Sequence, residues 1–488
     1  MTETAETGPA PPQADRPAQA LNDELRRKLL VRLAPLFAGE LITPEDQRFQ
    51  AARQVWNAMV DQQPGLIVRC TGTQDVVAAV MAARALNVKF SVRGGGHSVA
   101  GKAHTQGGMT IDLSLMRHVG VDAPARLVQA EGGCLLADVD EATEPHGLAV
   151  PLGTVSQTGL GGLALGGGAG WLSRKHGLTC DNFVSLEVVL ADGRVVETSA
   201  TQHPDLFWAL RGGGGNFGIV TRFTLRAHPF GPLLRIGVSL YRPEDTEEAL
   251  RVYARTVPGL PRVVGWHGSL KRHMPPLPFV PPELVGARML MLFSMWLDDP
   301  DDPEGIACTE QLTRVGAPCH AATTVMPFGT GMQRAMDPEF PNGRRNYTKE
   351  IHLATLSDEA IKRLVGFWRT MHLHGEVYII SLGGALTDVA EDEAAFANRS
   401  APYWLNFSVH WDEPCCDEEN ILTICDTADH IAPWTAPGVY PNLLNFDENH
   451  RLIEAYGGKE KYALLGLVKA RYDPANLFRV NHNVTPFL

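Results

Sequence analysis

The stretch Leu66–Ser98 reads LIVRCTGTQDVVAAVMAARALNVKFSVRGGGHS. Leu66-Ile67-Val68-Arg69 is an apolar run of strand length, and Gly72-Thr73 turns the chain. Val76 to Leu86 carries apolar residues at helical spacing, and Val88 to Val92 is a second strand running into Gly94-Gly95-Gly96. This is a β-α-β unit that ends in glycines. Working outward, Met109–Leu113 and Leu127–Ala130 read as further strands, and Leu135–His146 as a helix closed by Gly147. A second glycine cluster follows at Gly159, Gly161, Gly162, Gly166, Gly167, Gly168 and Gly170. Phe183–Leu190 and Val195-Val196 form a hairpin around Asp192-Gly193, a pair that supplies the positive φ such turns need. A helix over Pro204–Leu210, a third glycine run over Gly212–Gly215 and a strand over Ile219–Leu225 complete this part.

Near Pro229 glycine thins out and alternating apolar strands take over. A second region runs from about Phe230 to Asp426, with strands at Ile236–Leu240, Met289–Trp296, Val377–Leu382 and Trp404–His410 and helices at Glu247–Arg255 and Asp358–Thr370. That mixture suits an antiparallel sheet covered on one face. After Tyr440 the chain returns to the first region and ends in Tyr472–Asn483, YDPANLFRVNHN.

The 488 residues carry 43 basic against 55 acidic side chains, a net charge of −12, and the basic ones are scattered. Phosphate backbones need a concentrated positive surface, so nucleic acid is not an expected partner. No apolar run approaches the roughly 18 residues of a membrane span. Residues 1–20, rich in Pro, Ala, Glu and Thr, read as a disordered tail rather than an export signal, since Arg32 interrupts the apolar run after Arg26-Arg27. The eight cysteines show no C-x-x-C pair, and a reducing cytoplasm is the expected setting.

Glycine-rich turns can aim backbone N–H groups at an anion because no Cβ stands in the way. Gly213-x-Gly215-x-x-Gly218 has the letters of a dinucleotide fingerprint, but it follows a helical segment and precedes a strand, the reverse of what that fingerprint needs. Two glycine loops about sixty residues apart, one at the end of a β-α-β unit, suit instead a long, doubly charged ligand such as a pyrophosphate dinucleotide.

Ser91–Ser98 (SVRGGGHS), Thr158–Asn182 (TGLGGLALGGGAGWLSRKHGLTCDN), Arg211–Val220 (RGGGGNFGIV) and Tyr472–Asn483 together resemble the FAD-linked oxidases of the vanillyl-alcohol oxidase superfamily, within it the berberine-bridge-enzyme branch that includes the hydroxynicotine oxidases. The resemblance implies an α+β fold: a two-part FAD-binding domain of the PCMH type with an antiparallel-sheet substrate domain. It divides the chain into a tail (1–25), an FAD-binding domain (26–229), a substrate-binding domain (230–430) and a C-terminal segment returning to the FAD domain (431–488). It implies FAD tethered through an 8α-methyl bond to His97, whose imidazole is mostly neutral near pH 7 and a competent nucleophile. Relatives with a second, cysteinyl bond have a cysteine where this chain has Val155, so a single bond is expected; Cys180 reads as buried. Thr158 falls where family members tune dioxygen access, and its small β-branched side chain favours oxidase behaviour. Arg93, Gly94, Gly95, Gly96, Ser98, Gly161, Gly162, Gly168 and Gly170 are expected to contact FAD. Asp181, Asn182, Gly218, Ile219 and Val220 are expected to line its adenosine side, and Asn481 and Asn483 to approach the flavin ring.

Flavin oxidation of a C–H bond needs a substrate carbon held near the ring and a nearby base for the departing proton. By resemblance the base is Tyr440 of Tyr440-Pro441-Asn442-Leu443, its phenol activated by a cation, with Lys349 or Arg344 as the neighbour. Tyr347, Tyr403, Trp404, Asn406, His410 and Trp411 lie on strands that roof the flavin and receive no roles. The activity implied is removal of hydride from a small alcohol or amine (sugar, alkaloid, polyketide or aromatic alcohol), with dioxygen reduced to hydrogen peroxide. A flavin dehydrogenase with another acceptor and a catalytically silent flavin-binding protein remain alternatives. The oligomeric state stays open, a homodimer included, and no metal site is expected.

Overall fold

The computed structural model describes residues 21–487, so the tail read over residues 1–20 lies outside it. Residues 21–25, assigned above to that tail, are structured: Leu21 N–H bonds Gly107 O at 2.7 Å, and helix α1 (Asp23–Leu33) starts on Asn22, whose side chain accepts from Leu25 N at 2.8 Å. Its Leu25, Leu29 and Leu33 are buried.

The opening β-α-β unit forms as read. Strands β1 (Glu40–Ile42) and β2 (Leu66–Arg69), helix α2 (Thr73–Ala85), β3 (Phe90–Arg93) and β4 (Met109–Asp112) make a sheet ordered β1-β2-β4-β3, with β2 and β3 both parallel to β4. Asp75 accepts from Ala38 N and Thr71 N at the start of α2, satisfying donors that would otherwise be orphaned, while Val76, Ala79, Val80 and Ala83 bury the helix against the sheet. A second sheet holds β5 (Val119–Asp122), β6 (Leu127–Glu131), β7 (Phe183–Val189), β8 (Val195–Ser199) and β9 (Ile219–Arg226) in the order β5-β6-β9-β7-β8, all antiparallel. Between β6 and β7 run α3 (Leu136–Thr143) and the short α4 (Leu160–Leu165); α5 (Pro204–Leu210) precedes β9. Gly147 and Gly193 take left-handed φ of 63° and 84° at the predicted helix end and hairpin turn.

After Pro229 the chain enters a seven-stranded antiparallel sheet: β10 (Leu233–Tyr241), β11 (Val264–Lys271), β12 (Met289–Trp296), β13 (His320–Pro327), β14 (Arg345–Leu353), β15 (Gly375–Ser381) and β16 (Tyr403–Trp411), ordered β13-β10-β12-β11-β15-β16-β14. Helices α6 (Thr246–Thr256), α7 (Pro303–Thr313), α8 (Asp358–Thr370) and α9 (Asp417–Ile431) pack on this sheet. Alternate strand residues point to opposite faces. Trp266, Tyr347, Tyr403 and Phe407 join a core with α6, α8 and α9, whereas Phe293, Met291 and Tyr378 belong to a second core with Trp171 and Val155 of the glycine-rich part. Beyond α10 (Lys459–Tyr472), the chain returns to the first two sheets. No helix among the described residues is long and apolar enough to cross a membrane.

Candidate active site

A cavity of about 410 Å³ lies between the glycine loops and the inner face of the seven-stranded sheet. Its floor is backbone. Gly95 and Gly159 are packed so closely that a Cβ on Gly95 would stand 2.4 Å from Gly159 N and one on Gly159 2.2 Å from Gly95 N. No side chain fits there, which joins the first two glycine clusters into one surface. Gly94, Gly96, Gly161, Gly162, Gly170, Gly215, Gly218, Ile219, Val220 and Ser98 line the same cavity. Gly162 and Gly215 have nothing within 4 Å of where a Cβ would be.

His97 stands on the floor with its ring stacked on Trp56, centroids 4.4 Å apart and planes 17° from parallel. Burial pushes its pKa down to about 4, so the imidazole is neutral at physiological pH, and Nε2 is buried without a protein partner. Val155 and Thr158 line the wall as well, so the position aligned with the second flavin-bonding cysteine presents only methyl groups.

Five expected contacts fall elsewhere. Arg93, expected to offer its backbone, lies between Val92 and Gly94 of the cavity wall, and its guanidinium turns back to Ala52 O and to within 3.6 Å of Asp112, which is 1% exposed at its side chain. Gly168 packs against Thr179, where a Cβ would lie 2.2 Å from Oγ1. Asp181 accepts from Arg399 at 2.8 and 2.9 Å, from Arg211 at 3.4 Å and from Leu178 N at 3.0 Å. Asn182 donates to His176 O and Leu178 O, and its Oδ1 meets His228 Nε2 at 2.7 Å. Asn483 is also absent from the cavity wall. Asn483 Oδ1 is buried without a protein partner, whereas the polar groups of Arg93, Asp181 and Asn182 hold protein to protein: Asp181 in particular ties the T-C-D-N turn to Arg399, beyond the roof strand β15.

The C-terminal segment reaches the floor because a buried ion pair holds it. Lys469 Nζ on α10 donates to Asp473 at 2.7 Å, Asn216 O at 2.6 Å and Phe478 O at 2.8 Å, while Asp473 accepts from Leu477 N and Phe478 N. Asn481 then stands at the wall. Its Nδ2 is spent on Gly215 O and Phe478 O, leaving Oδ1 as a buried acceptor without a partner.

Tyr440 is 6% exposed and lines the cavity. Its oxygen accepts three N–H bonds: from Gly168 N at 3.0 Å, Ala169 N at 3.3 Å and Asn442 Nδ2 at 2.8 Å. The Asn442 amide also donates to Leu163 O, which can only accept, so its orientation follows from the network. Among the described residues nothing accepts the Tyr440 proton. Burial pushes this phenol up to about 12, and the three donors pull in the opposite direction. The expected cation is not there. Lys349 pairs with Glu448 at 2.9 Å, and Arg344 binds Asp412 at the surface. Strand parity is the reason: Thr348 faces the cavity, so Lys349 next to it points away.

The roof consists of alternate residues from β11, β14, β15 and β16: His267, Thr348, Tyr378, Ile380, Trp404 and Asn406, with Trp171, Met336 and Phe340 at its margin. Trp404 lies between Tyr440, 5.1 Å away, and His352, 4.8 Å away and almost parallel. Of the six aromatic and polar residues noted on these strands, only Trp404 and Asn406 line the cavity. Sequence reading missed Trp56, the amide role of Asn442, and His267 and Tyr378. Only the Y-x-N spacing carried any local signal, for Asn442.

The family model described as FAD binding domain matches residues 64–199, and the one described as berberine and berberine like matches residues 439–485. In sequence, the chain is 30% identical over 461 residues to an uncharacterized FAD-linked oxidoreductase of Bacillus subtilis, spanning 92% of this chain and 97% of that one. It is 36% identical over 211 residues to (R)-6-hydroxynicotine oxidase of Paenarthrobacter nicotinovorans, 43% of this chain and 46% of the relative. Its fold matches 6-hydroxy-D-nicotine oxidase from Arthrobacter nicotinovorans with a TM-score of 0.79 at 24% identity, covering 92% and 98% of the two chains. It matches xylooligosaccharide oxidase from Myceliophthora thermophila with a TM-score of 0.81 at 20% identity, covering 95% and 99%.

Proposed function

The chain belongs to the FAD-linked oxidoreductases of the vanillyl-alcohol oxidase type, in their berberine-bridge-enzyme-like branch, and on that premise we propose that it is an oxidase carrying FAD on a single bond to His97. The residues fit the cofactor. The open glycines Gly162 and Gly215 leave room for a ligand against backbone, and Asn481 Oδ1 is an unpartnered acceptor suited to a ring N–H. FAD, when bound, takes up a hydride from a substrate carbon and is reoxidised by dioxygen.

The observation that carries the reading is His97: a neutral imidazole on the cavity wall, held flat by Trp56, with Nε2 free of any protein partner. Val155 in the opposing loop supports the single bond, because a valine offers no nucleophile. Thr158 on the wall supports access for dioxygen. Tyr440 serves as the base: its oxygen receives the alcohol or amine proton, and three N–H donors stabilise the phenolate in place of a cation. A small alcohol or amine is the substrate, hydrogen peroxide the second product, and the cytoplasm the expected setting.

Acid precipitation of purified protein tests the tether. A yellow pellet whose His97 peptide is heavier by the mass of FAD less two hydrogens is expected. A colourless pellet with the flavin in the supernatant would overturn the single-bond assignment, and His97→Ala should give that result.

A further inference from the structure

Among the described residues lining the cavity there is no aspartate and no glutamate. The acidic residues nearest the roof are all committed inside the protein. Glu376 takes Lys271 at 2.6 Å and Ser269 at 2.5 Å; Glu350 Oε2 accepts Tyr440 N at 2.9 Å, and its Oε1 lies 2.8 Å from His352 Nε2. One cation, Lys102, lies on the wall, and it belongs to the loop after His97 on the floor side. An ammonium entering here would give up its hydration and meet no counter-ion. A sugar presents hydroxyls that both donate and accept around its ring, yet Ile380, Leu382 and Met336 on this roof offer neither.

The polar groups that remain are mainly donors. His267 Nδ1 accepts from Ser381 N at 3.2 Å, which puts the ring proton on Nε2. That Nε2 and the indole N–H groups of Trp171 and Trp404 are buried with no protein partner, against a single buried unpartnered acceptor among the described roof residues lining the cavity, Asn406 Oδ1. Aromatic walls with spare N–H groups suit a flat molecule whose oxygens accept.

Resting on the oxidase reading above, we propose that the substrate is an uncharged aromatic alcohol whose remaining oxygens are carbonyl or ether acceptors, and not a sugar, an ammonium or a carboxylate. The carbinol C–H leaves as hydride and its O–H proton goes to the Tyr440 oxygen, so the alcohol becomes a ketone. Dioxygen gains those two electrons and two protons to become hydrogen peroxide.

The test uses the purified, flavin-loaded protein. Chroman-4-one, the ketone product of 4-chromanol, should perturb the bound flavin spectrum, and 4-chromanol should bleach the flavin anaerobically. Cellobiose, benzylammonium and mandelate should be weaker by about 10²-fold or more, the discrimination expected when a wall lacks a ligand's polar partners. A flavin spectrum unmoved by chroman-4-one, or moved as readily by any of the other three, overturns the proposal. Asn406→Asp, which puts a carboxylate on the wall, should raise the affinity for benzylammonium and lower that for chroman-4-one; an unchanged ratio counts against it. Failure of the oxidase reading looks different: flavin reduced with dithionite would then not reoxidise promptly in air, whichever ligand binds.

Discussion

On the floor of the cavity Gly95 and Gly159 meet backbone to backbone, whereas on the roof Ile380, Trp404 and Asn406 present side chains from every second position of their strands. The two walls therefore respond differently to substitution. Gly95 and Gly159 have no room for even one carbon, while a roof residue can change its chemistry and leave the strand beneath it intact. The largest effect should come from Gly95→Ala. Its Cβ would press on Gly159 N at 2.4 Å and Cα at 2.6 Å, and neither atom can swing aside as a side chain can. Overpacking against movable neighbours already costs about 1–3 kcal/mol. Purified Gly95→Ala should lack the flavin band near 450 nm, while Ile380→Val should keep full flavin and change only KM; equal flavin content in both would break the comparison.

Tyr440 sharpens the contrast because both walls act on it. Its ring stacks on roof residue Trp404, while its oxygen is held by the glycine block through Gly168 N and Ala169 N and by Asn442. Tyr440→Phe should keep covalent flavin and lose about 10²–10⁴-fold in kcat, the usual worth of a positioned base. With the phenol at about 12, the phenolate fraction grows as pH rises, so kcat/KM should climb with pH through the neutral range. Asn442→Leu removes one of the three donors and should shift that rise to still higher pH, with a loss of about tenfold at pH 7.5, roughly one pKa unit. An unshifted pH profile would mean that the amide only packs.

The same division explains what could be read in advance. The floor was legible because its requirement is for glycine, and glycine runs stand out in any sequence. Helices such as Asp358–Thr370 were read to the residue from their apolar spacing. The strand Val264–Lys271 went unread because GWHGSLK places a lysine inside the sheet, made tolerable by Glu376 more than a hundred residues later in the adjacent register position. Lys349 was misplaced by one position of strand parity, and Asp181 and Asn182 by a motif whose polar atoms bind the protein itself. Pairings across such separations leave no local trace.

A third prediction concerns the seam that brings the C-terminus under the floor. Lys469 and Asp473 are both 0% exposed, and burial, although opposed by Asp473, pushes the lysine pKa down. Asp473→Ala would strand a buried ammonium, and breaking such a pair typically costs about 3–5 kcal/mol. Urea unfolding should show that loss, and flavin content should fall with it because Asn481 loses its anchor. Lys469→Met with Asp473→Leu removes both charges and should recover part of the stability; no recovery would mean that the hydrogen bonds to Asn216 O and Phe478 O matter more than the charge.

The smallest expected effect separates the walls by pH. His176 and His228 stack at 3.9 Å where the chain leaves the glycine-rich part for the roof sheet. Burial first, then Lys175 and His228 on His176, and Arg226, Lys175 and Arg126 on His228, push the two pKa values down to about 3 and about 4; Asp298 alone opposes, at His176. Folded values below the ordinary 6.5 mean that the unfolded chain takes up protons first. The stability these rings contribute is therefore complete above about pH 6.5 and is lost as pH falls toward about 4. Melting temperature should decline across that window, and His228→Gln should flatten the decline. Hydrogen exchange distinguishes the walls within one sample: amides of Leu233–Tyr241 should lose protection at a higher pH than those around Gly94–Gly96, where His97 is shielded by Trp56. Simultaneous loss in both segments would show that acid opens the molecule as a unit, and that the seam beside the histidines is no weaker than the floor.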